Sequence, residues 1–373
     1  MDLALINAKS ISGKYPYEEI EYIDTSSVTG NEFNPLQRLK LIDAPSRAKR
    51  IVQHGDTILS TVRPIQRHFG FIRNPKPNTI ASTGFAVITP KNINPEFLFY
   101  YLSQESITNY LNGIAETSTT TFPAFRPEVL SDLEMVIPSD EKVQRRIADI
   151  LSALDYKIEL NRQTNATLEA IAQAIFKEWF VNFNFPGATG EMVESEMGMI
   201  PEGWRTGKLG EICEFAYGKG LKSEIRVEGK YPVVGSNGIV GTHNDYLAEG
   251  PGIVIGRKGT IGEVTWVHQN FFPIDTTFYI NDLLGVNDLY FHYFLLKEQD
   301  FKKIGSDSAV PGLNRNQAYV SLVVIPAKDI INQFNDITKA MFADIYNYSN
   351  ESSTLATIRD SLLPKLMSGE IYP

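Results

Sequence analysis

Residues 145–183, "RRIADILSALDYKIELNRQTNATLEAIAQAIFKEWFVNF", carry apolar side chains at Ile147, Ile150, Leu151, Leu154 and Ile158, then at Leu168, Ile171 and Ile175. Steps of three, four and seven predict one long amphipathic helix, or two laid end to end, with a narrow apolar stripe of the kind that pairs helix with helix. A second stripe runs through Phe334, Ile337, Met341, Ile345, Leu355, Ile358 and Leu362 near the C-terminus. A helix of about 40 residues is roughly 60 Å long, more than the width of a small domain, so each suits the role of a spacer.

Elsewhere the apolar runs are short and broken by Gly, Pro and Asn, as in "DTILSTV", "GFAVITP", "GIVIG" and "GEVTWV", which predicts strands. Each strand region leads into a short helix, "PEFLFYYLSQESITNYL" or "NDLYFHYFLLKEQDFKKI". A proline-ended strand follows, "LEMVIP" or "SLVVIP", and then a long helix. This order occurs twice. Pro311 follows Pro123 at the same interval at which Pro326 follows Pro138. The interval is slightly shorter from Thr167 to Thr354, where Ile171 falls on Ile358, and slightly longer from Arg63 to Arg257. A slowly drifting offset is what loop insertions leave in a tandem duplication. An intermolecular coiled coil would also use these stripes, but two helices from one duplicated unit are expected to pair within the chain.

Composition narrows the class. A chain of 373 residues, 43% hydrophobic and 21% charged, suits two or three globular domains. No apolar run approaches the roughly 18 residues of a membrane span, and "MDLALINAKS" lacks a basic start before an apolar core. The single cysteine, Cys213, excludes an internal disulfide and fits a reducing compartment, so a cytoplasmic location is expected. The net charge of −9 argues against nucleic acid until its distribution is considered. Between Arg38 and Lys76, nine basic residues face only Asp43 and Asp56. A basic patch on an acidic body predicts one face for nucleic acid and another for protein partners.

No active site is legible. The segments "GKGLKS" and "GIVIGRKGT" lack the spacing of a phosphate loop and read as tight turns. No proline-rich adenine-methyltransferase tetrapeptide occurs, and His54, His68, His243, His268 and His292 are scattered without metal-ligand spacing. The expected catalytic, metal and cofactor sets are therefore empty. For DNA contact the first half offers Arg47, Lys49, Arg50, Arg63, Arg67, His68 and Arg126, with the hydroxyl loop Thr119, Thr120 and Thr121. The second half offers Lys219, Lys222, Arg257, Lys258, Thr260, Asn314, Arg315 and Asn316. Cations suit phosphates, whereas Arg and Asn in loops suit guanine and adenine edges. For any one of these residues a solvated surface role is the ordinary alternative.

The segment "IPSDEKVQRRIADILSALDYKIELNRQTNATLEAIAQAIFKEWFVNF", followed by "SEMGMIPEGWRTGKLGEICE", resembles the central conserved region of type I restriction–modification specificity subunits and the start of their second target recognition domain. "LATIRDSLLPKLMSGEI" resembles the family's distal conserved region, so the likeness covers essentially the whole chain. One departure is that the first half has no "PEGW…LGE" start. The resemblance implies an α+β fold, with recognition domains at 1–138 and 186–326 (linker 186–203) and long helices at 139–185 and 327–373 packed antiparallel. It implies two recognition domains that each read half of a split, asymmetric double-stranded DNA target. The helices would fix the gap between the half-sites and dock two methyltransferase subunits, which alone carry S-adenosylmethionine, and through them two restriction translocase–nuclease subunits. A degenerate methyltransferase or nuclease, and a DNA-independent scaffold, are the competing readings.

Overall fold

The computed structural model describes residues 3–13, 15–118, 122–304 and 312–373. The chain forms two compact units, Met1–Leu160 with Glu351–Pro373, and Asn161–Asn350.

In the first unit one sheet runs Ala4–Ile6, Phe85–Pro90, Thr57–Ser60, Phe69–Phe71, all antiparallel. A second runs Gln37–Lys40, Glu19–Ile23, Thr79–Ser82, Ala48–Ile51, with its middle pair parallel. The second unit repeats both. Cys213–Tyr217, Thr277–Asp282, Gly252–Gly256 and Val264–Val267 form the antiparallel sheet. Gly238–His243, Tyr231–Gly235 and Phe272–Pro273 form the mixed one, in which an Ala248–Phe271 bridge replaces the fourth strand. The sequence repeat is thus a repeat of topology. The central strands read as unbroken apolar runs because both their faces are covered. Leu59 joins the core shared with the helices while Ile58 joins the core between the sheets. Ile253 and Ile255 divide from Val254 in the same way.

Three expectations change. "LEMVIP" forms no strand, whereas its copy Leu322–Ile325 pairs with Arg205–Lys208. Among the described residues no strand pairs with residues 133–137, and an extended segment without a neighbour builds no ladder. "PEFLFYYLSQESITNYL" is two helices, Pro95–Leu102 and Glu105–Glu116, because the Ser103 hydroxyl donates to the Tyr100 carbonyl and Gln104 turns extended. "NDLYFHYFLLKEQDFKKI" likewise breaks after Tyr290–Lys297 and resumes only at Phe301–Ile304.

The two long helices, Glu141–Phe180 and Lys328–Ser368, are each continuous, and each gives one half to each unit. In the first unit Asp155 accepts from Arg359 at 2.6 Å and Lys157 pairs with Glu351 at 3.1 Å, so rising numbers meet falling ones. In the second, Asn161 donates to the Tyr348 carbonyl at 3.4 Å and Phe176 meets Phe334 edge to face at 5.8 Å. The pairing is antiparallel in both units.

Ile147, Leu151 and Phe334 lie fully inside, and Leu154, Ile158, Leu168, Ile175, Met341, Ile345, Leu355 and Leu362 are half-buried. Ile150, Ile171, Ile337 and Ile358 fall outside the seam, at 39%, 43%, 41% and 41% exposed. The buried face runs instead through Ala172, Phe176, Trp179 and Phe180 and, in the matching turns of the distal helix, through Leu363, Leu366 and Met367. Neighbouring residues on a helix point about 100° apart, so a seam through Ala172 turns Ile171 aside.

Each globule is fastened to the central helix by a tyrosine from the same place in the repeat. Tyr100 donates to Asp155 at 2.7 Å, and Tyr293 donates to Glu169 at 2.8 Å beside Lys297. In the second unit His268 stacks on Tyr346, and burial pushes its pKa down from 6.5 to about 4. Unfolding frees it to bind a proton once the pH falls below about 6.5, so stability should decline from there toward pH 4. His268→Phe should flatten this part of a denaturation-against-pH series; an unchanged slope would remove His268 as its source.

Candidate nucleic-acid interface

In the first unit the central strand Thr57–Ser60 runs out into residues 61–68. There Val62 bridges Ala124, the Phe125 N–H donates to the Thr61 carbonyl at 3.0 Å, and the Arg63 N–H donates to the Pro123 carbonyl at 2.8 Å. Arg63 is left-handed at φ 48°, and its exposed guanidinium lies over the Phe122 ring at 4.7 Å. In the second unit the matching strand Gly252–Gly256 leads directly into Arg257, whose carbonyl accepts from the Leu313 N–H at 2.9 Å. Both repeat arginines therefore sit beside the chain that follows the repeat proline. Arg257 covers the Tyr217 ring at 5.0 Å and donates to the Asp275 carbonyl at 3.2 Å. Arg315 covers the same ring, also at 5.0 Å, and donates to the Phe215 carbonyl. A guanidinium over an exposed ring gains about 0.5–1 kcal/mol and loses rotational freedom, which pre-aims its remaining donors.

Around these arginines the two units differ. Lys219 and Lys258 are exposed, and their backbone N–H groups donate to the carbonyls of Pro273 and Thr276, so one short segment holds both. Gly218 makes this approach possible, since a Cβ there would lie 2.2 Å from the Ile274 carbonyl oxygen. Lys222 and Asn316 are exposed and Thr260 is half-buried. The Asn314 side chain caps its own helix, accepting from the N–H groups of Asn316 and Gln317, which occupies the oxygen that would face a base.

In the first unit Arg47, Lys49 and Arg126 are exposed. Three other candidates are engaged in the fold. Arg67 donates to the Ser103 carbonyl at 3.3 Å over Phe69, the His68 Nδ1 lies 2.7 Å from the Val28 carbonyl, and Arg50 donates to Ser10 at 3.2 Å. Thr119, Thr120 and Thr121 lie outside the described residues. The cluster of positive charge between Arg38 and Lys76 is also weaker than its sequence implies. Arg38 and Lys76 both pair with Glu21, and Arg73 pairs with Glu96, acids that lie outside that window but next to it in the fold. Tyr217 was the residue missed. Its signal was an aromatic at a strand end directly before Gly and Lys. Among the described residues no group of three or more His, Cys, Asp or Glu is arranged to hold a metal ion, and no helix is long and apolar enough to cross a membrane.

The repeated sheets and shared antiparallel helices define a protein built from two copies of one α+β recognition-type unit. The profile of the type I restriction modification DNA specificity domain matches residues 3–170 and 201–332, and the chain belongs to that family. It is 29% identical to the type I restriction enzyme HindI specificity subunit of Haemophilus influenzae, over 95% of each chain. It is also 29% identical to the MjaIX specificity subunit of Methanocaldococcus jannaschii, over 86% of this chain and 79% of that one. The crystal structure of a type I restriction–modification S subunit from M. genitalium shares the fold, with a TM-score of 0.55 and 21% identity over 98% of this chain and 93% of that one.

Proposed function

We propose that this chain is the DNA-reading subunit of a type I restriction–modification assembly, in which each unit reads one half of a split target. The observation that carries this reading is the pair Arg63 and Arg257: one per unit, each just beyond a central strand, over an aromatic ring and beside the chain at the repeat proline. Their backbone bonds differ, since Arg63 donates its N–H there and Arg257 accepts through its carbonyl. The arginines would read base edges while Arg47, Lys49, Arg126, Lys219, Lys222 and Lys258 contact phosphates. Arg315, Asn316 and Thr260 give the second unit a different lining from the first, so the half-sites should differ and the target should be asymmetric. Methyl transfer and cleavage belong to partner subunits, with S-adenosylmethionine bound there and not here. The recognition domains correspond to residues 1–138 and 186–326, and the long helices set the gap between half-sites.

The test is to reconstitute the chain with its methyltransferase subunits and map methylated adenines. Methylation confined to one bipartite, asymmetric sequence supports the reading. S-adenosylmethionine binding by the purified chain alone would favour a degenerate methyltransferase, and salt-independent or absent DNA binding would favour a scaffold.

Docking follows from the same duplication. Ile150 and Ile337 occupy matching places in the two long helices, as do Ile171 and Ile358. All four are 39–43% exposed, so each unit presents two exposed isoleucines on its helices. Two equivalent apolar patches suit two copies of one partner, the methyltransferase subunit. Changing Ile150 and Ile337 together to Asp should reduce the bound methyltransferase by at least about tenfold with little loss of stability, as their exposure predicts. Unaltered stoichiometry in sedimentation would place the docking surface elsewhere.

A further inference from the structure

In the second unit one exposed element stands next to Arg257 without a role of its own. Strands Tyr231–Gly235 and Gly238–His243 form a hairpin, with Val234 opposite Ile239 and Gly235 opposite Gly238, so only Ser236 and Asn237 turn the corner. The tip rests on the turn that carries Arg257 and Lys258. A Cβ on Gly256 would lie 2.7 Å from the Ser236 carbonyl oxygen, and one on Gly259 would lie 3.3 Å from the Ser236 Oγ. The Val234 carbonyl also accepts from the Ile274 N–H at 3.0 Å, two residues before Thr276, whose carbonyl accepts from the N–H groups of both Arg257 and Lys258. Backbone packing therefore sets Asn237 beside the two cations.

The hairpin's surface differs from that of its neighbours. From Tyr231 to His243 it holds no Asp, Glu, Lys or Arg, whereas Lys219 and Lys258 stand exposed on the adjoining segments. Ile239 is 63% exposed and Val240 45%. Asn237 is exposed too, and among the described residues its side chain makes no hydrogen bond. Cations beside an uncharged strip of amide and apolar side chains match a DNA groove, where phosphates form the rims and base edges the floor. The major groove, about 12 Å wide, admits a two-stranded ribbon. In the first unit the matching strands, Glu19–Ile23 and Gln37–Lys40, are joined by residues 24–36. That longer connection is tied down, since the N–H groups of Gly30 and Asn31 donate to the carbonyls of Arg67 and Phe69 at 2.9 Å. A free two-residue tip belongs to the second unit alone.

We propose that the hairpin Tyr231–His243 is a ribbon that the second unit lays in the major groove, with Asn237 reading an adenine and Ile239 resting on a thymine methyl. The proposal rests on the reading of this chain as a DNA reader and adds which element enters the groove. An asparagine amide donates to adenine N7 and accepts from the adenine N6 amino group, a pair of bonds that no other base offers in the major groove. Asn314, the other residue of this type beside Arg257, has its oxygen committed to its own helix.

The test uses the complex reconstituted with its methyltransferase subunits and synthetic duplexes of the mapped target, with affinities from fluorescence anisotropy. Asn237→Ala should lower the preference for adenine at one base pair of one half-site by about 5- to 150-fold, with the melting midpoint unchanged. Asn237→Asp keeps the shape of the turn and should move the preference at that pair toward cytosine, whose N4 amino group a carboxylate accepts from. Replacing the read adenine by 7-deazaadenine, which lacks N7, should weaken binding several-fold in the unsubstituted complex and leave Asn237→Ala unaffected. Deoxyuridine in place of the contacted thymine should likewise matter with Ile239 and not with Ile239→Ala. Unchanged discrimination in Asn237→Ala while Arg257→Ala still relaxes the same half-site would overturn the proposal and leave the DNA-reading role standing. Equal weakening on every sequence, or insensitivity of the unsubstituted complex to 7-deazaadenine throughout that half-site, would also overturn it. A complex with no sequence preference at all would overturn the underlying reading and this proposal together.

Discussion

Replacing Phe176 by alanine is expected to destabilise the second unit by about 3–5 kcal/mol, as truncation of a fully enclosed ring does. Phe176 is 2% exposed and touches four other rings, Phe180, Phe291, Phe294 and Phe334, at centroid distances of 5.1 to 5.9 Å. These come from the central helix, the short helix of the globule and the distal helix, so the one side chain joins all three. The void left by truncation would be walled by rings that cannot collapse into it without leaving their own contacts. The chain supplies its own reporter, because all three tryptophans, Trp179, Trp204 and Trp266, belong to this unit. Tryptophan fluorescence in a urea series should show the midpoint falling with little change in slope. A loss below about 1 kcal/mol would mean that Phe176 is not the keystone its contacts suggest.

How much of this was visible in the sequence depends on where the information resides. The long helices were legible because few structures besides a helix keep up a three–four spacing over 40 residues, and the repeat was legible because prolines such as Pro138 and Pro326 mark fixed points on a drifting offset. The seam was legible only in part. Spacing alone gives an apolar stripe its period and leaves its centre uncertain by one residue, which is the difference between Ile171 and Ala172. "LEMVIP" looks like a strand since its side chains alternate as a strand's do, but a strand also needs a neighbour, and residues 133–137 pair with none among the described residues. Charge failed for a similar reason. Glu21 and Glu96 lie outside the basic window in the chain and next to it in the sheets. Arg63 and Arg257 stand out as candidate readers from their places in the sequence repeat. The rings beneath them do not, because Phe122 and Tyr217 come from unrelated places in the repeat.

That difference in origin sharpens what Arg63 and Arg257 should do. A guanidinium held over a ring loses rotational freedom while keeping donors free, and two such donors can read guanine O6 and N7 together. Arg63→Ala should weaken recognition of one half-site and Arg257→Ala the other, each by about 1–3 kcal/mol, or roughly 5- to 150-fold, at a single base pair. Tyr217→Leu should reproduce much of the Arg257 effect, because the ring orients both Arg257 and Arg315, while Tyr217→Phe should preserve discrimination. Lys219→Ala and Lys258→Ala should behave differently, lowering affinity for every sequence alike and reducing the salt slope by about one each. The alternative is that Arg257 is only a brace, since it already donates to the Asp275 carbonyl at 3.2 Å. A brace would show first as lost stability, with binding falling equally on all targets. Affinities measured against targets altered in one half at a time, with the melting midpoint of each variant recorded alongside, separate the two. Equal losses on both halves, or no loss in a folded variant, would remove the pair from the reading surface and leave the lysines and the remaining loop residues to account for specificity.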